Sequence, residues 1–321
     1  MTEAPGPLPG TSAKSHRNLG RVLVTGSRGF IGSALSRTLV QGGESVVGSD
    51  LADSGNDGAE FRACDITDLR QVDLLFGRER FDTIFHCGAV SGPMIMAERP
   101  LDIWRINVLG TAHLLEAVRR QASGRFVFCS SCSVYGAINA APIEEDTPPD
   151  PGSVYGASKV AAEQAMTGYV REHGVEAVAL RLSWVYGPGR QTPTTLEELL
   201  RATFEARPLQ IAGAPEEMTH YVHVEDVVAG LIAAARAASL RRLIYNISAG
   251  NGIPMSEVVA IVRGLAPGLE VSFSSRSSST AGPEGFLLTN ARRDLGYAPR
   301  IALAEGLRGY HEALRARHDQ R

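Results

Sequence analysis

A short apolar run that breaks into evenly spaced glycines constrains this chain more than any other feature. Arg21-Val22-Leu23-Val24-Thr25 reads as a strand, Gly26-Ser27-Arg28-Gly29-Phe30-Ile31-Gly32 as a turn, and Ser33–Gln41 as a helix. Strand, glycine turn and helix in that order open a βαβ unit, and the turn suits a dinucleotide. Gly26 permits a tight turn, Gly29 lets the backbone approach a pyrophosphate, and Gly32 lets the helix pack on the strand. Free N–H groups at the helix start, around Arg28, Phe30 and Ile31, carry partial positive charge toward phosphates. The spacing is GxxGxxG rather than GxGxxG, so a simple turn is the competing reading.

The next runs fit a doubly wound α/β sheet. A second strand, Glu44–Ser49, ends at Asp50, eighteen residues after Gly32. A carboxylate there accepts both ribose hydroxyls and repels a 2′-phosphate, which favours NAD over NADP. Arg28 argues the other way, because a basic residue in the glycine loop can meet that phosphate. Asp65 and Ile66 follow a third strand, Glu60–Ala63. Asp65 is a candidate for the adenine amino group, or else a cap for the helix starting near Asp68. A fourth strand, Phe81–His86, runs into Cys87-Gly88-Ala89, small residues over which a dinucleotide can pass; His86 reads as a packed histidine. Leu101–Gln121 is predicted as one amphipathic helix carrying Asn107, and Arg125–Cys129 as the fifth strand, leading into the hydroxyl-rich Ser130-Ser131-Cys132-Ser133.

Tyr155 and Lys159 stand four residues apart at the start of a helix predicted over Tyr155–Glu172, hence on one face and about one turn apart. A free tyrosine, with a pKa of about 10, is a poor base at neutral pH. A nearby ammonium stabilises the phenolate and lowers that pKa, so the pair can move a proton on or off a hydroxyl. The same spacing is common on plain helix surfaces. After the sixth strand, Val175–Leu182, the segment Ser183–Gly189 reads as a loop. Beyond Thr194 the alternation weakens into a helix over Thr195–Ala206, a strand at Tyr221–Val224, an Ala-rich helix Glu225–Ala237, a sheet strand Leu243–Ile247, a helix Met255–Leu265, a strand Glu270–Ser274, and helix-turn-helix to Arg317.

Composition narrows the class. The 321 residues are 44% hydrophobic and 21% charged, enough for a sizeable core, and the net charge of -3 gives no reason to expect nucleic acid. No apolar run approaches the roughly 18 residues of a membrane span. The Pro-, Gly- and Ser-rich Met1–Leu19 lacks a signal peptide's apolar core and reads as a disordered tail on a cytoplasmic protein. Cys64, Cys87, Cys129 and Cys132 read as buried free thiols despite the CxxC spacing of the last two. No metal site is expected.

Taken together, Gly26, Gly29, Gly32, Asp50, Asp65-Ile66, Asn107, Ser131, Tyr155, Lys159, Val185-Tyr186-Gly187-Pro188-Gly189 and Tyr221-Val222-His223-Val224-Glu225-Asp226 resemble the extended short-chain dehydrogenase/reductases, the NAD-dependent epimerase/dehydratase group. The likeness spans residues 20 to about 315. It implies a Rossmann domain over 20–183 and 225–250, with a smaller interleaved substrate-binding region over 184–224 and 251–321. It also implies NAD as cofactor, a carbohydrate substrate, and a homodimer formed through the two long helices. In relatives Tyr155 acts as acid or base, Lys159 lowers its pKa and binds the nicotinamide ribose, Ser131 bonds the same substrate oxygen, and Asn107 belongs to the cofactor set.

The chain also departs from that pattern. Dehydratases place Asp-Glu after the catalytic hydroxyl residue; here Cys132 and Ser133 stand there, neither an acid able to expel water. Nucleotide-sugar epimerases have an asparagine before the VYGP loop and an arginine in R-D-[FY]-[IV]-H-V; here these are Trp184 and Thr219. Losing an amide and a charge-assisted phosphate contact argues against a nucleotide sugar. Ser91-Gly92-Pro93-Met94 looks like relatives that oxidise free sugar acids or polyols. Ser91, Ser133, Trp184, Arg190 and Arg276 are the candidate substrate contacts, the two arginines for a carboxylate. Three readings stand: an NAD-dependent dehydrogenase of a small sugar, sugar acid or polyol; an NAD-retaining epimerase of the UDP-glucose 4-epimerase kind; and a non-catalytic dinucleotide sensor.

Overall fold

Seven short strands, buried for most of their length, pair side by side in one parallel sheet. The computed structural model describes residues 17–53, 55, 57–137, 142–275 and 284–320. In chain order the elements are β1 (Arg21–Thr25), α1 (Phe30–Gln41), β2 (Ser45–Asp50), β3 (Glu60–Ala63), α2 (Leu69–Arg78), β4 (Thr83–His86), α3 (Pro100–Trp104), α4 (Gly110–Gln121), β5 (Arg125–Ser131), α5 (Val154–His173), β6 (Glu176–Leu182), β7 (Trp184–Tyr186), α6 (Thr195–Glu205), β8 (Leu209–Ile211), β9 (Met218–Thr219), β10 (Tyr221–His223), α7 (Val224–Arg236), β11 (Ile244–Ile247), β12 (Ile253–Pro254), α8 (Met255–Arg263), β13 (Val271–Phe273) and α9 (Leu303–His318). The sheet order is β11-β6-β5-β4-β1-β2-β3. The order reverses between β1 and β4, which opens a crevice at their carboxyl ends, the place where such sheets bind ligands.

Both faces of the sheet are covered, which is why its strands carry apolar residues without polar alternation. Along β1 the side chains alternate: Val22 and Val24 join a core with Leu35, Val227 and Leu231 of α1 and α7. Leu23 faces the other way, into a core with Leu114, Leu115, Ala162 and Met166 of α4 and α5. A third cluster lies off the sheet and draws on Tyr186, Leu199, Tyr221, Val258, Leu307 and Tyr310. Arg125, buried to 1% exposure, ties sheet to helix by donating to the carbonyls of Ala234, Ala235 and Ala237 at the end of α7.

Several expectations need correction. The tail does not extend to Leu19. Arg17 donates its backbone N–H to Arg236 and pairs with Glu176, and Leu19 is fully buried. Residues 1–16 lie outside the described residues. Trp184–Tyr186 is not loop; it forms β7, pairing in parallel with β10 through Trp184–Tyr221, Val185–Val222 and Tyr186–His223. The helix over Leu101–Gln121 is interrupted by a π turn at Arg105–Leu109 centred on Asn107. Asp68, not Asp65, caps α2, accepting from the Arg70 N–H at 2.9 Å. Cys87 is only partly buried, whereas Cys64, Cys129 and Cys132 are buried, and all four are free thiols. Among the described residues, no helix is long and apolar enough to cross a membrane.

Candidate active site

The glycine loop is built as its spacing suggests. Gly26 has φ +67, and a Cβ on it would lie 2.5 Å from the Gly88 nitrogen, so the ends of β1 and β4 touch backbone to backbone. A Cβ on Gly32 would lie 2.0 Å from the Gly26 carbonyl oxygen. Gly29 caps α1 without a side-chain hydrogen bond, leaving the first N–H groups of the helix to another acceptor. These features fit a pyrophosphate held at the helix start. At the end of β2, Asp50 accepts from the backbone N–H of Arg28 at 3.0 Å and of Leu51 at 2.8 Å, which fixes its carboxylate against the loop.

Arg28 does not meet a 2′-phosphate in this arrangement. Its guanidinium pairs with Asp53 at 2.7 Å and Asp57 at 2.8 Å and covers the Phe61 ring at 4.7 Å. Two carboxylates already claim the charge, so the site fits NAD. Asp53 and Asp57 went unnoticed in the sequence, although an acidic loop following a basic glycine turn was the available signal. Asp65 accepts from the Thr67 N–H and hydroxyl at 2.9 and 2.8 Å, and the carbonyl of Ile66 is 2.9 Å from His113 Nδ1.

Asn107, expected in the cofactor set, is bonded within the protein. It is 1% exposed; its oxygen accepts from Val90 N–H at 2.8 Å, and its amide donates to the Val90 carbonyl and to Ser158 Oγ at 3.2 and 3.0 Å. The π turn directs this amide inward, so it joins the segment after β4 to α5 and sets Ser91 near Tyr155.

The start of α5 is pinned to the end of β5. Ser153 caps the helix, its hydroxyl accepting from Gly156 N–H at 3.1 Å. Gly156 sits where a Cβ would be 2.5 Å from the Ser133 carbonyl oxygen, so only glycine allows so close an approach. Tyr155 is thereby brought toward Ser131, and the Ser131 and Ser91 hydroxyls lie near enough to its phenol to favour the charged form. Ser131 also caps the turn after β5, accepting from Ser133 N–H and donating to Ser133 Oγ, each at 3.1 Å. The cap reading and the facing-the-tyrosine reading hold together.

The expected lowering of Tyr155 by Lys159 is not what the geometry produces. Burial pushes the phenol up, opposed by the nearby Ser131 and Ser91 hydroxyls. Lys159 Nζ donates to the Cys129 carbonyl at 2.9 Å, 4.7 Å from the Phe128 ring centroid and 6.0 Å from that of Tyr155. Burial pushes the ammonium down to about 8. His86 is a packed histidine, as expected: 1% exposed between the Thr25 and Thr111 hydroxyls at 2.7 and 3.0 Å, and pushed down to about 3 by burial.

Around the substrate side, Trp184 is 62% exposed and meets Tyr221 edge-on at 6.1 Å between ring centroids. Thr219 is buried and donates to the Ile253 carbonyl at 2.9 Å. Arg190 folds back to donate to the Val185 carbonyl at 2.7 Å. Arg276 lies outside the described residues. Beneath the site, an ion pair that sequence reading missed joins α5 to β6: Glu163 with Arg181, 2.7 Å apart and both almost fully buried, with Ser130 Oγ also donating to Glu163 at 2.5 Å.

Comparison with known proteins agrees with this geometry. The family model for the NAD dependent epimerase/dehydratase family matches residues 22–248. The UDP-glucose 4-epimerase of Mycolicibacterium smegmatis is 33% identical over 305 residues, 89% of this chain and 96% of that protein. That of Streptomyces lividans is 31% identical over 276 residues, 76% and 80% of the two chains. Among solved structures, UDP-glucose 4-epimerase of Thermotoga maritima with UDP-glucose superposes with a TM-score of 0.85 at 27% identity, covering 93% of this chain and 99% of that one. MoeE5 in complex with UDP-glucuronic acid and NAD gives 0.81 at 33% identity, covering 93% and 100%. The protein is an enzyme of the NAD dependent epimerase/dehydratase family.

Proposed function

We propose that the protein oxidises a secondary hydroxyl of a small sugar, sugar acid or polyol, with Tyr155 taking the hydroxyl proton and Ser131 holding the same oxygen. The observation that carries this reading is the buried Tyr155 phenol with the Ser131 and Ser91 hydroxyls near it, one helical turn from Lys159. NAD, when bound, supplies the hydride acceptor. Gly26, Gly29, Gly32 and the start of α1 hold its phosphates in this reading, and Asp50 its ribose. Cys87, Gly88 and Ala89 give it a flat path over the sheet end. Ser131 and Ser91 offset part of the burial that keeps Tyr155 protonated.

A second reading, an NAD-retaining nucleotide-sugar epimerase, is favoured by the names of the relatives. Against it stand Trp184, exposed where relatives carry an amide, and Thr219, an uncharged residue bonded to the Ile253 carbonyl where they carry an arginine. Mixing the enzyme with NAD and a panel of free sugars, aldonates, uronates and polyols separates the two. Accumulating NADH with one class supports the dehydrogenase. A flat panel together with interconversion of UDP-glucose and UDP-galactose, without net NADH, selects the epimerase. Tyr155→Phe keeps NAD affinity and loses about 10²–10⁴ of turnover in either case; unchanged turnover removes Tyr155 from the chemistry. We also propose a homodimer through α3, α4 and α5, since Leu101 and Trp104 are exposed on α3 and Leu109 in the π turn beside it. Light scattering that gives a monomer mass refutes it.

A further inference from the structure

We propose that Cys87 and Cys129 form an oxidisable dithiol, a modification site at which a peroxide closes a disulfide that weakens NAD binding.

The sheet makes this pair, not the spacing along the chain. β4 and β5 run parallel with His86 opposite Phe128, so Cys87 and Cys129, the next residue on each strand, stand side by side. Cys129 Sγ donates to Cys87 Sγ at 3.5 Å. Neighbouring strands lie about 4.8 Å apart, inside the Cα separation of about 4.4–6.8 Å that a disulfide spans. The other half of the CxxC spacing is engaged elsewhere, with Cys132 Sγ donating to the Arg181 carbonyl at 3.4 Å.

Exposure divides the roles. Cys87 is partly exposed at the end of its strand, whereas Cys129 is 7% exposed. A small oxidant therefore reaches Cys87, and Cys129 resolves the product. Contact with Cys129 and burial hold the Cys87 thiol well above its ordinary value, so its first attack is slow. A second thiol already in contact captures the product before it oxidises further. In the first step Cys87 loses its proton, its sulfur attacks one oxygen of hydrogen peroxide, and the O–O bond breaks. The departing hydroxide takes that proton and leaves as water, and Cys87 carries S–OH. Cys129 sulfur then attacks that sulfur, the S–O bond breaks, and a second water leaves with the Cys129 proton. The two sulfurs give up two electrons and the peroxide takes them.

Closing the bond draws the sulfurs from 3.5 Å to about 2.05 Å, and both residues are tied to the cofactor side of the sheet. The Cys87 N–H donates to the Thr25 carbonyl at 3.1 Å, directly before Gly26. Gly88 follows Cys87, and its nitrogen lies where a Cβ on Gly26 would be 2.5 Å away, so the glycine loop has no slack against β4. The Cys129 carbonyl holds Lys159 Nζ at 2.9 Å. Drawing the two strand ends together thus disturbs the glycine loop on one side and Lys159 on the other. By linkage, NAD opposes the disulfide by the same factor as the disulfide opposes NAD.

The test uses the full-length protein, freed of excess NAD and treated with hydrogen peroxide, then with dithiothreitol. The expected result is a loss of two hydrogens from the intact mass and a linked peptide joining Cys87 to Cys129. NAD affinity falls by about 10-fold or more and dithiothreitol restores it. Saturating NAD raises the midpoint potential of the pair, by about 30 mV for each 10-fold in affinity. Cys132→Ser still forms the link. Cys129→Ser forms none, and its Cys87 proceeds to the sulfinic acid that dithiothreitol does not reverse. Melting of the reduced variants checks their folds; should Cys129→Ser melt early, the wild-type peptide map and the potential with and without NAD decide the matter. No linked peptide, a link from Cys129 to Cys132 instead, a Cys87–Cys129 link with unchanged NAD affinity, or a midpoint that NAD does not move overturns the proposal.

Discussion

Replacing Glu163 by glutamine tests how the fold holds α5 in register against β5 and β6. The side chain sits one turn beyond Lys159 on α5, 1% exposed, and its carboxylate accepts from Arg181 Nε at 3.0 and 3.3 Å, from Arg181 Nη2 at 2.7 Å and from Ser130 Oγ at 2.5 Å. Burial works against the Arg181 charge, but the bonds and field of Glu163 outweigh it and hold the guanidinium above its ordinary value. Glutamine keeps the shape, discards the charge and turns an N–H₂ donor toward donors. Removing one member of a buried pair costs about 3–5 kcal/mol, because the other charge is left uncompensated. That corresponds to a melting point lower by roughly 4–7 °C in a chain of this size. Urea unfolding of wild type, Glu163→Gln, Arg181→Met and the Glu163→Leu/Arg181→Met double variant gives the coupling. We expect the double variant to recover to within about 1–2 kcal/mol of wild type, since no charge is stranded. Its turnover stays reduced, because β5, α5 and β6 lose the bond that aligns Ser131 with Tyr155. Costs that simply add, or a Glu163→Gln variant within about 0.5 kcal/mol of wild type, would refute the reasoning.

Two further outcomes follow from the same geometry. Gly32→Ala puts a methyl 2.0 Å from the Gly26 carbonyl oxygen, a backbone atom that yields only if the loop opens, so NAD affinity drops by about 10-fold or more; an NAD titration with unchanged affinity contradicts it. His86 is buried neutral, with its folded value near 3 against an ordinary 6.5. The unfolded chain takes the proton first, so this contribution is complete above pH 6.5 and is lost as pH falls toward 3. At pH 5 the loss is about 2 kcal/mol, and His86→Gln narrows its deficit to wild type between pH 7 and 5; a deficit that stays constant shows that the imidazole is not held neutral.

Much of the site was legible because local spacing writes it. Gly26, Gly29 and Gly32 stand where a Cβ would strike backbone or crowd it, and Asp50 ends the strand next to that loop. Tyr155 and Lys159 share a face because helices repeat every 3.6 residues. Gly156, which lets Tyr155 reach Ser131, lies in the same motif, although its partner at Ser133 is visible only after folding.

The glycine turn, the β2 carboxylate and the Tyr–Lys spacing were therefore fixed by the sequence itself, and with them the parallel sheet and the dinucleotide site. The tertiary structure alone decided what the charges do. Arg28 is neutralised by Asp53 and Asp57 from a neighbouring loop, and Asn107 is drawn into the link between Val90 and Ser158. Lys159 turns to the Cys129 carbonyl while burial, not its charge, governs Tyr155, and Arg190 folds back onto the Val185 carbonyl. Spacing along the chain sets which backbone can turn or cap. Desolvation and ion pairing depend on which distant residues close over a group, and no local pattern encodes that.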